Sequence, residues 1–122
     1  MNSSAATNPD AAVIVLCTAP ATGNAAGRLG GSDLARQLVE ERLCACVNVI
    51  PAVFSCFRWE GRVEAAEEML LIMKTTADTA ARVRTRIVEL HPYEVPEVLE
   101  LPVTGGLPSY LAWLRASVVG TP

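Results

Sequence analysis

Residues 46–75 read CVNVIPAVFSCFRWEGRVEAAEEMLLIMKT. Val47, Val49, Val53, Phe54 and Phe57 populate the first half, and such side chains suit a pleated surface. Cys46–Trp59 is therefore expected as one long strand. Pro51 has no N–H to give to a ladder, so it marks an edge position or a bulge in that strand. Glu60-Gly61 is a turn signal, and Val63–Thr75 returns as a second long strand whose centre, Met69 to Met73, is apolar on both faces. Both runs exceed the five or six residues of an average strand. A hairpin that long projects beyond a small body, and its edges need a partner. Oligomerisation is the expectation.

Reading outward from the hairpin, Val13-Ile14-Val15-Leu16-Cys17 is a short β-branched run that suits a buried strand. Residues 20–31, PATGNAAGRLGG, form a long glycine-rich stretch. Its spacing matches neither the G-x-x-x-x-G-K-[ST] nor the G-x-G-x-x-G phosphate pattern, so it reads as a flexible connection. Ser32 or Asp33 is the expected N-cap of a first helix ending near Leu43, with Leu34, Ala35, Leu38 and Val39 on its apolar side. After the hairpin, Thr76 or Asp78 opens a second helix that places Ala80, Val83, Ile87 and Leu90 on one face. Pro92 and Pro96 bracket a turn, residues 97–103 alternate as a short strand, Gly105-Gly106 breaks the chain, and a last helix carries Tyr110, Leu111, Trp113, Leu114 and Val118. The order βαββαβ plus a helix is the split-βαβ, ferredoxin-like α+β arrangement, an antiparallel sheet with helices on one face.

The 122 residues suit one domain, expected over 13–119 behind a disordered polar lead-in at 1–12. Apolar residues make up 51% and aromatic ones only 5%, which calls for an aliphatic core. The net charge is −3, Lys74 is the only lysine, and Arg82, Arg84 and Arg86 point in alternating directions around their helix as a solvated face. A nucleic-acid surface needs clustered positive charge, so that partner is not expected. No apolar run is long enough to span a bilayer, and residues 1–10 lack the charge of a secretory signal. The expected location is cytoplasmic, where the four cysteines would remain free thiols.

From Val13 to about Ser117 the chain resembles the CutA divalent-cation-tolerance family. The matching stretches are Leu16-Cys17-Thr18-Ala19-Pro20; Leu43-Cys44-Ala45-Cys46-Val47-Asn48 with Ile50-Pro51; Ser55, Phe57, Trp59, Glu60 and Gly61; Glu68, Lys74 and Thr75; and His91-Pro92-Tyr93-Glu94-Val95-Pro96-Glu97, followed by Tyr110 and Trp113. All occur in order. The resemblance implies a homotrimer in which the hairpins pair with neighbouring subunits, and a role in tolerance to copper and other divalent metal ions. It maps Cys17 and His91 onto positions implicated in copper binding. Departures are the long 20–31 loop, Phe57 in place of a tyrosine, the additional thiols Cys44 and Cys56, and Leu90 where some relatives carry a second histidine.

The resemblance thus makes Cys17 and His91 the candidate metal ligands, and imidazole and thiolate are donors that suit copper or zinc. The plainer alternatives are a packed thiol and a cationic imidazole that caps a helix C-terminus. Cys44 and Cys46 lack the C-x-x-C spacing of redox or zinc motifs, and Cys44 would be the more reactive if exposed. Trp59, Glu68, Lys74, Tyr93, Glu97, Tyr110 and Trp113 are the candidate lining of an intersubunit small-molecule pocket, against the alternative of packing residues and a Lys74–Glu97 ion pair. There is no Gly-x-Ser-x-Gly elbow, His-Glu-x-x-His or Walker loop, and no enzyme activity is expected. The leading rival is a small-molecule-binding signalling trimer like the PII proteins, which share this type of fold. A thiol-dependent enzyme and a ligand-free scaffold stand behind it.

Overall fold

The computed structural model describes residues 8–118. Its elements run β1 (Ala12–Ala19), α1 (Gly31–Glu40), β2 (Cys46–Trp59), β3 (Arg62–Thr76), α2 (Ala77–Leu90), β4 (Leu99–Pro102) and α3 (Pro108–Ala116). The strands form one antiparallel sheet in the order β2-β3-β1-β4. The α+β class and element order are those expected. Of the lead-in, residues 1–7 lie outside the described residues, as does the expected domain end at 119. Residues 8–11 form a turn whose Pro9 and Ala11 carbonyls accept the Asp78 and Ala77 N–H groups. Two open donors at the start of α2 are thereby satisfied, which is why its N-cap, Thr76, makes no side-chain cap bond.

Alternation in the strands separates two faces. Val13, Val15, Cys17 and Ala19 of β1 and Leu71 and Met73 of β3 are buried against Leu34, Ala35 and Leu38 of α1 and Ala80, Val83 and Ile87 of α2. The core is aliphatic, as composition requires, and each large side chain buried there contributes about 1.5–3 kcal/mol. Helix α1 starts earlier than expected, at Gly31 after Gly30, with no side-chain cap. A Cβ on Gly31 would lie 2.8 Å from the Met69 sulfur, so the helix begins where it can press closest to β3.

The opposite face is laid out in rows: Cys46, Lys74, Ile14 and Leu101; Asn48, Ile72, Leu16 and Leu99; Ile50, Leu70 and Thr18. Leu114 and Val118 cover only one end of it, packing on Ala12 and Ala45. Helix α3 thus lies across the sheet from α1 and α2, which corrects the expectation of helices on one face. Small side chains at 12 and 45 leave room for it. Among the described residues nothing else covers the face, which is mostly apolar around Leu16, Ile72 and Leu70, with Leu99 56% and Ile50 41% exposed.

The hairpin is as long as expected. Register shifts between Ile50 and Val53, placing the bulge at Pro51. Beyond it, residues 53–59 pair only with 62–68, because β1 ends at Ala19 opposite Met69. A two-residue turn closes the tip, with Glu60 at φ 49° and Gly61 at φ 79°, the positive-φ pair of a hairpin turn. Strand β4 covers Leu99–Pro102, shorter than the expected 97–103.

Candidate functional site

Strand β1 ends beside the C-terminus of α2. Pro92 disfavours helical backbone for the residue before it, and His91 accordingly turns out of α2 at ψ 142°. Its backbone N–H still reaches the Ile87 carbonyl at 2.8 Å. The ring swings inward and is fully buried. Nε2 lies 2.7 Å from the Thr18 carbonyl oxygen, and Nδ1 accepts the Tyr93 backbone N–H at 3.0 Å. A carbonyl can only accept, so the proton sits on Nε2 and the imidazole is neutral. Burial lowers its pKa below the ordinary histidine value. The ring is therefore not a cationic helix cap; that work falls to Arg28, whose Nη1 donates to the Val88 and His91 carbonyls.

Cys17 shares the same acceptor. It is fully buried, and its Sγ–H points to the Thr18 oxygen at 3.5 Å. Burial, together with the negative charges of Glu97 and Glu68, pushes this thiol up to about 12. The buried Glu68 carboxylate accepts the Tyr93 hydroxyl at 2.8 Å. Burial and that bond push the Tyr93 phenol up to about 12. The Tyr93 ring tilts against His91 with centroids 4.8 Å apart.

Five candidate residues, Cys17, Glu68, His91, Tyr93 and Glu97, thus belong to one corner. The other four stand elsewhere. Lys74 donates to Asn48 Oδ1 and to Cys46 Sγ, the latter at 3.7 Å, on the uncovered sheet face, and is not paired with Glu97. Tyr110 and Trp113 stack at 5.4 Å on α3, and Trp59 stands at the hairpin tip. A groove of about 560 Å³ between α1 and α2 is lined by Glu41, Leu43, Ala81, Arg82, Thr85, Arg86 and Glu89, and contains none of these residues. There Arg86 clamps Glu41 and Glu89; outside the groove Arg84 pairs with Glu100, so two of the three arginines hold partners. Cys44 is buried, not exposed, and burial with Cys46 beside it pushes its thiol to about 12. Cys56 is the exposed thiol.

Among the described residues no three His, Cys, Asp or Glu side chains form a group that could hold a metal ion. His91 has both nitrogens engaged and Cys17 keeps its proton at neutral pH. One chain therefore offers two donors at this corner, Cys17 and His91, fewer than a closed metal site takes. Sequence reasoning missed Thr18, which acts through its backbone and leaves no side-chain signal, and Arg28 with Asn24, which lie in the glycine-rich stretch. Asn24 was detectable, since asparagine in such a stretch favours side-chain-closed turns.

The family model for the CutA1 divalent ion tolerance protein matches residues 13–117. The chain belongs to that family. The divalent-cation tolerance protein CutA of Thermus thermophilus is 48% identical over 82 residues, 67% of this chain and 80% of the relative. That of Yersinia pestis is 40% identical over 123 aligned positions, 97% of this chain and 98% of the relative. Among solved structures, the Thermus thermophilus CutA1 superposes with a TM-score of 0.78 at 40% identity, covering 88% of this chain and 98% of the other. CutA1 from Oryza sativa gives 0.80 at 36% identity, covering 90% and 95%. The CutA1 fold is thus the fold described above.

Proposed function

We propose that this chain is a non-enzymatic divalent-cation tolerance protein of the cytoplasm, that it works as a homotrimer, and that copper or another divalent ion is the ligand it responds to at the Cys17–His91 corner. One observation carries the reading: Cys17 Sγ and His91 Nε2 converge on the same Thr18 carbonyl, which sets a thiol and an imidazole side by side. The names of the relatives supply the link to divalent cations.

The uncovered sheet face supports assembly. An uncovered apolar face is the kind of surface that an interface buries, and the long hairpin reaches past the body of its own chain. Trp59, Lys74 and the Tyr110–Trp113 pair stand away from the corner within one chain; packing of the hairpins between subunits is proposed to bring them to a neighbour's Glu68, Tyr93 and Glu97. The corner is demanding toward an ion. Removing the proton of a thiol with a pKa of about 12 at pH 7 costs roughly 7 kcal/mol. A soft ion that bonds strongly to thiolate and imidazole offsets that cost best, which favours copper over hard cations.

Anaerobic copper titration of the reduced protein tests the reading. Saturable binding at a fixed ratio per trimer, lost in Cys17→Ala and in His91→Ala, is expected. Binding that is unchanged in both variants overturns the assignment of the corner.

A further inference from the structure

The segment between β1 and α1 is not the flexible connection that its glycines suggest. Asn24 Oδ1 accepts the N–H groups of Ala26 at 3.0 Å and Arg28 at 3.2 Å. The Asn24 N–H donates to the Arg28 carbonyl, Gly27 to the Asn24 carbonyl, and Gly31 to the Pro20 carbonyl. The loop walls touch: a Cβ on Gly23 would lie 1.9 Å from the Arg28 oxygen, and one on Gly30 2.3 Å from the Ala21 oxygen. Such a loop holds Arg28 in a fixed place.

What Arg28 meets there is the end of α2. A helix C-terminus leaves carbonyls without internal partners and carries a partial negative charge. Helix α2 has no basic residue in its own last turn. Arg28 Nη1 supplies donors to the carbonyls of Val88 at 3.0 Å and His91 at 3.2 Å, and the Leu29 N–H supplies one to Leu90 at 2.8 Å. The residue whose carbonyl is clamped is the one whose ring reaches Thr18.

We propose that Arg28 is a positioning residue for His91: carried on a closed, Asn24-braced loop, it fixes the C-terminus of α2 so that the imidazole keeps its place against Thr18 and beside Cys17. The inference deepens the proposed function but stands on metal-free geometry, so the two fail separately.

His91 is the only histidine in the chain, so its ring resonances are unambiguous by NMR. In the metal-free protein a single Nε2–H tautomer with slowly exchanging Nε2 proton is expected. Arg28→Ala is expected to speed that exchange at least tenfold, and Arg28→Lys, which retains a cation, to restore part of the protection. Arg42→Ala is the matched control, because Arg42 donates in the same way to the Ala116 and Ser117 carbonyls at the end of α3. It is expected to leave His91 unchanged. Unaltered exchange in Arg28→Ala overturns the proposal, and so does an equal acceleration in Arg42→Ala, which would mean general loosening. Copper titration of Arg28→Ala is expected to show weaker binding by a similar factor. Faster exchange with unchanged copper affinity keeps the brace and removes the corner as the copper site.

Discussion

His91 and Thr18, 73 positions apart in sequence, are joined by a 2.7 Å hydrogen bond from Nε2 to the backbone carbonyl. The bond ties the end of α2 to the end of β1 and fixes a neutral imidazole. His91→Gln leaves the buried environment short of a partner and is expected to cost about 1–3 kcal/mol in denaturant unfolding.

The same bond has a pH signature. The folded-state pKa of His91 lies below 6.5, so the unfolded chain takes up the proton first. Its contribution is full above about 6.5 and erodes as pH falls through the lower folded value. Thermal unfolding between pH 7 and 5 is expected to show this loss in the wild type and a flatter profile in His91→Gln. A wild-type profile already flat would refute burial of a neutral ring.

The thiols set the alkaline side. Cys17 and Cys44 are raised from 9.0 to about 12, so their contribution is present below pH 9 and is lost as pH rises from there toward 12. The double variant Cys17→Ala, Cys44→Ala is expected to lose less stability between pH 8 and 10.5 than the wild type, relative to its own value at pH 8.

Adjacent glycines should differ in their tolerance of a methyl group. A Cβ on Gly30 meets backbone of Ala21 at 2.3 Å, whereas one on Gly31 meets the movable Met69 side chain at 2.8 Å. Gly30→Ala is expected to cost about 3 kcal/mol. Gly31→Ala gains roughly 1 kcal/mol of helix propensity against its clash and should stay within ~1 kcal/mol of the wild type.

The hairpin tip can be improved. Glu60 holds φ 49°, a region that suits asparagine better than glutamate, ahead of Gly61 at φ 79°. Glu60→Asn is expected to stabilise by about 0.5–1 kcal/mol, read as a rise in Tm.

Much of this was legible in the sequence. The hairpin, the Pro51 bulge, the Glu60-Gly61 turn and the element order follow from alternation and turn chemistry, which are local. The side taken by α3 was not legible, because it depends on which sheet face carries small residues at Ala12 and Ala45, a matter of register. For the site, Cys17 and His91 were found as candidates, with Glu68, Tyr93 and Glu97 near them. Their engagement by the Thr18 carbonyl was hidden, since a backbone acceptor has no residue identity. Arg28 was hidden behind glycines that imply freedom but here permit close approach. Trp59, Lys74 and the Tyr110–Trp113 pair do not join that corner within one chain, as residues meeting it only across subunits would not.

The proposed function requires that other copies of the chain bury the rows around Ile72, Leu16 and Leu70. Light scattering on the purified protein at micromolar concentration tests this most directly, with Ile72→Lys beside it. The expected result is three copies of the 13.0 kDa chain for the wild type and a smaller species for the variant. A wild-type mass of a single chain would contradict it.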